Sequence, residues 1–113
     1  MHISDLMRDA HVTALEHGWA DPPKSFGEMI LMCHTELSEV VEDYRRGHGI
    51  NEIFVADEGA ETSKPSGLPI ELADLVIRVA DLCANYNIDL EAAIEEKMEY
   101  NKTRSFRHGG KTL

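Results

Sequence analysis

The chain has 113 residues, of which 42% are hydrophobic and 28% charged, a composition typical of one globular domain. Its formal net charge of −10 argues against a nucleic-acid-binding protein, which usually carries a basic surface. No apolar run reaches the roughly 18 residues that a membrane span needs, and the N-terminus lacks the order of a signal peptide. We therefore expect a single domain over 1–113 that is cytoplasmic, with no nucleic-acid or membrane partner.

The first half of the chain predicts two helices. Residues 2–17 carry apolar side chains at helical spacing, and the stretch 19–23 has the composition of a turn. A second helix is predicted over 25–46, because Ser25 and Glu28 have the spacing of a capping box. Its core stripe includes Cys33, and we expect this residue and Cys83 to be buried thiols, since neither starts a C-x-x-C motif.

A long loop separates these helices from two more. Positions 47–69 hold six prolines and glycines, which predict a loop with room for one brief strand. Pro69 then opens a third helix that extends to about residue 86. Asp89 caps a fourth helix that ends near residue 102. We expect an all-α fold, with a four-helix, antiparallel bundle-like protomer and the long loop between helices 2 and 3.

The third helix is apolar around most of its circumference, so it must be buried on most sides. A four-helix protomer of this size could hardly cover it, and we expect a homo-oligomer, a dimer or a dimer of dimers, with the site near the interface. The remaining side of the helix is a narrow polar strip, which we expect to line an internal polar site. The strip consists of Glu71, Asp74, Arg78, Asp81 and Asn85.

The second helix carries an acidic strip beside its core stripe. Glu28, Glu36, Glu39 and Asp43 fall within roughly 80° of one another, and such like charges repel. Only Arg46, at the end of this strip, could relieve the repulsion within the helix, and it reaches Asp43 most easily. The pattern therefore predicts that another cation lies nearby.

The two acidic pairs, Glu36 with Glu39 and Glu71 with Asp74, each place two carboxylates on one helix face. If the two helices pack antiparallel, the four carboxylates converge and need divalent cations to stay ionised together. An all-oxygen ligand set favours Mg²⁺, with Mn²⁺ as the substitute. The alternative is two solvated acidic faces, and for the first pair alone this alternative is the better one. No histidine has the Glu-x-x-His spacing of ferritin-like oxidases.

The last part of the chain is basic. Of 11 lysines and arginines, five lie in the last 17 positions, and 102–113 reads as a basic C-terminal tail. These residues could face a small polyanion, or they could form a solvated tail. Lys97 and Asn101 fall on the inward side of the fourth helix, where a lysine needs an anionic partner unless it snorkels to solvent. The five basic residues are Lys97, Lys102, Arg104, Arg107 and Lys111.

The two acidic pairs, with the segments 98–104 (MEYNKTR) and 107–111 (RHGGK), resemble the MazG-like, all-α nucleoside triphosphate pyrophosphohydrolases, particularly the short phage- and integron-type members. The resemblance covers roughly 25–111. It implies Mg²⁺-dependent hydrolysis of a nucleoside triphosphate to the monophosphate and pyrophosphate, with Glu36, Glu39, Glu71 and Asp74 as the catalytic metal ligands. Many relatives carry another Glu at the position of Thr35, so the water-activating base is open here.

The same resemblance suggests roles for other residues. Lys97, Lys102, Arg104 and Arg107 would balance charge on the departing pyrophosphate, and Asn101 would bind a phosphate or the sugar. Trp19 and Phe26 are candidates for stacking on the base, although core packing is the favoured reading for both. Two alternatives stay open: a non-catalytic helical oligomer that binds a basic partner, and an enzyme of the same fold acting on phosphoribosyl-ATP or another pyrophosphate-bearing metabolite.

Overall fold

The structure is a computed structural model that describes residues 1–58 and 61–104. The described residues are mostly helical, as expected, and include one small antiparallel sheet. No helix in this part of the chain combines the length and apolarity that a bilayer crossing requires. In chain order the elements are α1 (Ile3–Glu16), α2 (Phe26–Arg45), β1 (Phe54–Glu58), β2 (Glu61–Ser66), α3 (Leu68–Asn85) and α4 (Leu90–Lys102).

The helices begin where the local sequence predicts. Ser25 Oγ accepts a hydrogen bond from the Glu28 backbone N–H at 3.2 Å, and Glu28 Oε1 accepts one from the Ser25 N–H at 3.3 Å, which completes the capping box of α2. Asp89 caps α4 by accepting from the Ala92 N–H at 3.0 Å. Pro69 lies in the first turn of α3, where its missing N–H costs nothing.

The segment between α2 and α3 is a β-hairpin, which corrects the expectation of a long loop with at most one brief strand. Phe54 pairs with Ser66 and Ala56 with Lys64 in an antiparallel register. The second strand is hard to predict because it is polar and contains Pro65, which cannot donate to a sheet. Its backbone pairing with β1 therefore stabilises a strand that its side chains do not predict.

The root of the hairpin is tightly fixed. Gly67 has a φ of +118°, and a Cβ at this position would lie 2.2 Å from the Glu52 carbonyl oxygen. His48 stacks on Phe54 with ring centroids 4.1 Å apart, and its Nδ1 lies 2.6 Å from a carboxylate oxygen of Glu52. These contacts hold the segment 48–52 against β1 and against Gly67, the residue that joins β2 to α3.

Helix α3 is the centre of the protomer and packs against both α1 and α2. Helices α2 and α3 run antiparallel, since Phe26 meets Tyr86 edge-on at 5.2 Å while Glu36, ten residues later, contacts Arg78. Both cysteines are free thiols, Cys83 buried and Cys33 half-buried. The buried apolar residues are Ala14, Leu68, Ala80, Leu82 and Cys83.

The protomer is extended and leaves much apolar surface uncovered. Its radius of gyration is 16.9 Å, against about 13 Å for a compact chain of this length. Its accessible area is 8665 Å², against about 6,200 Å² for a compact monomer of its mass. Helix α4 packs mainly on α1, and none of its described residues is buried. Exposed apolar side chains on the helices include Leu31, Val41, Leu72, Val76 and Met98.

Candidate metal centre

Three carboxylates meet where α2 and α3 pack together. Glu36 on α2 and Glu71 in the first turn of α3 are only 5% and 8% exposed, and Asp74 is half-buried. One carboxylate oxygen from each of the three residues lies within 4.8 Å of the other two. The antiparallel packing predicted from the two acidic pairs thus brings one residue of the first pair to both residues of the second.

Glu39, the fourth predicted ligand, adjoins this cluster through Glu71. Burial, a hydrogen bond with the Glu39 side chain, and the negative charges of Glu39, Asp74 and Glu36 raise the pKa of Glu71 to about 8. A carboxyl with this pKa is protonated at neutral pH and donates its proton towards Glu39. The cluster is therefore too crowded for every carboxylate to ionise without a cation.

Two basic residues partly offset the negative charge. Arg78, one turn after Asp74, forms an ion pair with Glu36 through its Nε. The pKa of Asp74 is raised, first by burial and then by the charge of Glu36, while the positive charges of Arg78 and Lys64 oppose the rise. Arg78 thus provides the cation that the acidic strip of α2 requires.

The donor set fits a hard divalent cation. Mg²⁺ takes oxygen ligands at about 2.1 Å in octahedral geometry, which places ligand oxygens roughly 3.0–4.2 Å apart. The observed separations, up to 4.8 Å, need only small side-chain rotations to reach that range. Charge supports the same ion, because a cation would favour the ionised form of Glu71, which burial and the neighbouring carboxylates disfavour. The residues present therefore fit Mg²⁺ or Mn²⁺.

The carboxylates lie at one end of a cavity of about 880 Å³. All five residues of the predicted polar strip of α3 line this cavity, together with Ile77 of the same helix. Apolar side chains of α1, α2 and the turn before α2 form the opposite walls. These are Ala10, Ala14, Trp19, Ala20, Pro23, Met29 and Met32. Tyr86, the residue after the last turn of α3, also lines the cavity.

Of the other residues considered from the sequence, the structure places Trp19 at the cavity and Phe26 and Thr35 outside its lining. Trp19 lines the cavity and is 59% exposed, and Phe26 is 47% exposed, so neither is buried within the protomer. Phe26 packs on Tyr86 and is outside the cavity lining. Thr35, where relatives carry a Glu, is exposed, and its hydroxyl donates to the Leu31 carbonyl at 3.2 Å. This threonine therefore contributes no group to the cavity.

The predicted phosphate ligands of α4 are not brought to this cavity within the protomer. Lys97 lies 4.8 Å from the Tyr100 ring centroid, and Lys102 is paired with Glu99 at 2.8 Å. Arg104 also lies beside Tyr100, and Asn101 is exposed. Among the residues that the structure describes, none of α4 lines the cavity. Arg107, the remaining prediction, lies outside the described residues.

Lys64 and Lys24 line the cavity, but no sequence motif marks either lysine as a site residue. Lys64 is on β2, in the segment predicted as loop, and its place opposite Ala56 in the hairpin brings it near Asp74. Lys24 precedes α2, and its Nζ donates to the Trp19 carbonyl at 3.0 Å. Only a predicted hairpin, whose register fixes Lys64 beside the start of α3, could have indicated the first of them.

The chain matches no model of a known protein family, no curated protein and no solved structure. The likeness of its two acidic motifs to those of the MazG-like enzymes therefore stays a prediction from those residues. The geometry shows a crowded set of carboxylates, with Glu36 and Glu71 buried, at one end of an open cavity.

Proposed function

We propose that the chain is a Mg²⁺-dependent nucleoside triphosphate pyrophosphohydrolase. The observation that carries this proposal is the convergence of Glu36, Glu71 and Asp74 at one end of a cavity whose other end has apolar and aromatic walls. Such a cavity suits a ligand with an anionic end and a flat, weakly polar end, which describes a nucleotide. The acidic end suits phosphates only if divalent cations accompany them.

The side chains around the cluster have complementary roles in this proposal. Glu36, Glu71 and Asp74 would hold the cation, and Arg78 orients Glu36. Mg²⁺ bound there would neutralise charge on phosphate oxygens and make the attacking water more acidic. Glu39, at the edge of the cluster, accepts the proton that the water loses as its oxygen bonds to the α-phosphorus. The bond from that phosphorus to the bridging oxygen breaks, and pyrophosphate leaves.

Lys64 is the residue of the protomer best placed to face the leaving pyrophosphate. It lines the cavity beside the carboxylates, and its charge acts on Asp74. An ammonium group at this position balances charge that develops on the departing oxygens. The basic residues of α4 (Lys97, Lys102, Arg104) and Asn101 contribute only if a second copy brings them to the cavity.

We further propose that the protein is a homo-oligomer. The accessible area exceeds that of a compact monomer by roughly 2,400 Å², an excess of the size that obligate homodimers bury. The uncovered apolar side chains lie on α2, α3 and α4, so association through these helices would cover them. This arrangement would also supply the closed helical bundle that one protomer does not complete.

A nucleotide panel tests the proposed activity. The full chain is incubated with each ribo- and deoxyribonucleoside triphosphate and Mg²⁺, and the products are identified as pyrophosphate or phosphate. We expect monophosphate and pyrophosphate, no turnover in EDTA, and recovery with Mg²⁺ or Mn²⁺. Unchanged turnover in EDTA would refute the metal mechanism. A non-catalytic scaffold would release no product and would show no rise in melting temperature with Mg²⁺.

A further inference from the structure

Two polar residues lie at the far end of the cavity from the carboxylate cluster. Asp81 follows Asp74 by seven residues on α3, which places it about 10 Å further along the helix axis. Asn85, one turn beyond, donates from Nδ2 to the Asp81 carbonyl at 2.9 Å and to Asp81 Oδ1 at 3.2 Å. Both side chains line the cavity. The proposed phosphate chemistry uses neither of them.

His11 on α1 also contacts Asp81. Its Nδ1 lies 3.0 Å from Asp81 Oδ1, and His11 itself is not part of the cavity lining. A carboxylate only accepts hydrogen bonds, so the histidine donates. Asp81 Oδ1 thus receives two donors, whereas Asp81 Oδ2 and Asn85 Oδ1 receive none from the described residues. Two hydrogen-bond acceptors therefore stand beside the cavity in a fixed arrangement.

The surroundings of the pair suit a nucleobase. Because α2 and α3 run antiparallel, Met29 and Met32 lie between the level of Tyr86 and the level of Glu36. These methionines, with Trp19 and Tyr86, give the far end flat, polarisable walls on which a ring can pack. The separation of about 10 Å from the cluster leaves room for a sugar between the base and the α-phosphate.

We infer that Asp81 and Asn85 select nucleotides whose base carries an exocyclic amino group, an inference that rests on the proposed function. Cytosine, adenine and guanine each offer at least two N–H hydrogens from such an edge to the two acceptors. Thymine and uracil offer one ring N–H between two carbonyl oxygens, so one acceptor would face a carbonyl and stay unsatisfied. An unsatisfied or repelled charged acceptor costs enough to discriminate at least about tenfold.

The first experiment compares dCTP, dATP and dGTP with dTTP and dUTP in the presence of Mg²⁺. We expect kcat/KM to be at least about tenfold higher for the three amino-bearing substrates. Binding of dCMP and dTMP, measured by calorimetry, reads the same preference without any hydrolysis. Equal hydrolysis of all five triphosphates would overturn this inference and leave the proposed function standing. No hydrolysis of any would refute the proposed function, and the two monophosphates would still decide the base preference.

The second experiment uses Asp81→Asn, which keeps the shape of the side chain and adds N–H groups that can donate a hydrogen bond to a base carbonyl. We expect the ratio of amino-bearing to carbonyl-bearing substrates to fall about tenfold, because dTTP improves while dCTP weakens. Asp9→Asn, the same change on the exposed face of α1, should leave the ratio unchanged. If Asp81→Asn instead lowers kcat/KM equally for all bases, Asp81 serves only to join α3 to α1 through His11, and the inference is wrong.

Discussion

At the scale of single residues, the carboxyl of Glu71 links the carboxylate cluster to the stability of the fold. Its pKa rises from an ordinary value near 4.5 to about 8 in the folded chain, through burial and the neighbouring Glu39 carboxyl. Between those two pKa values the unfolded chain has released this proton while the folded chain still holds it. The free energy of unfolding of the metal-free protein therefore falls as pH rises through this range.

We predict that Glu71→Gln flattens this pH dependence, since an amide has no proton to lose. Melting temperatures measured in EDTA between about pH 5 and pH 8 should fall more steeply for the parent than for the variant. Glu95→Gln, on exposed α4, should follow the parent. Parallel curves for the parent and Glu71→Gln would contradict the crowding of the carboxylates.

Asp74→Asn tests the proposed metal ligands. It removes one negative charge and one anionic ligand from a cluster that is crowded already, so we predict an intact fold and a turnover at least about a hundredfold lower. Calorimetry with Mg²⁺ should show weaker binding, and circular dichroism should show unchanged helix content. Glu95→Gln is again the control. Mg²⁺ binding as tight as that of the parent would exclude Asp74 as a ligand.

At the scale of elements, the close approach of Gly67 to the Glu52 backbone fixes the root of the hairpin. Gly67→Ala would set a Cβ against the Glu52 carbonyl oxygen at a φ that side chains rarely adopt. We predict a loss of about 1–3 kcal/mol in the free energy of unfolding, measured with denaturant. Gly49→Ala is the matched control, because its Cβ would make only an ordinary contact, 3.7 Å from Glu52. Equal losses for the two variants would contradict the tight root.

The elements differ in how well local sequence predicts them. Capping side chains and the first-turn proline, which act within three residues of each helix start, predict α2, α3 and α4. The hairpin depends on pairing between segments that lack an alternating pattern, and Pro65 even argues against a strand. The inward side predicted for α4 was inferred from spacing, and spacing does not show which surface, if any, covers a helix.

The residues of the site likewise differ in how well local sequence predicts them. The four carboxylates and the polar strip are readable because they recur at i, i+3 and i+4 on long helices. The contacts that join the helices are not: Arg78 reaches Glu36 across 42 residues, and His11 reaches Asp81 across 70. Such pairs depend on how the helices dock. Lys64 required both the docking and the strand register to be known.

At the scale of the whole molecule, the uncovered apolar surface is the basis of the proposed oligomer. We predict a mass of at least twice 12.7 kDa by light scattering at micromolar concentration. Val76→Glu replaces an α3 side chain that is 53% exposed in the protomer and should lower this mass, because a charge in the proposed interface opposes association. A monomeric parent at that concentration would refute the proposed oligomer.

Glu71 and Asp74 of the carboxylate cluster lie on the same helix, α3, as the Asp81–Asn85 pair, and their separation has a regiochemical consequence. A ligand anchored by its base at one end presents the same phosphorus to the cluster whatever the length of its phosphate chain. We therefore predict that nucleoside diphosphates, where they react, are cleaved at the same α–β linkage and release orthophosphate. Hydrolysis in ¹⁸O-labelled water, followed by mass spectrometry, should place the label in the monophosphate for both substrates. Label in the released orthophosphate would show that the helix does not set the position of attack.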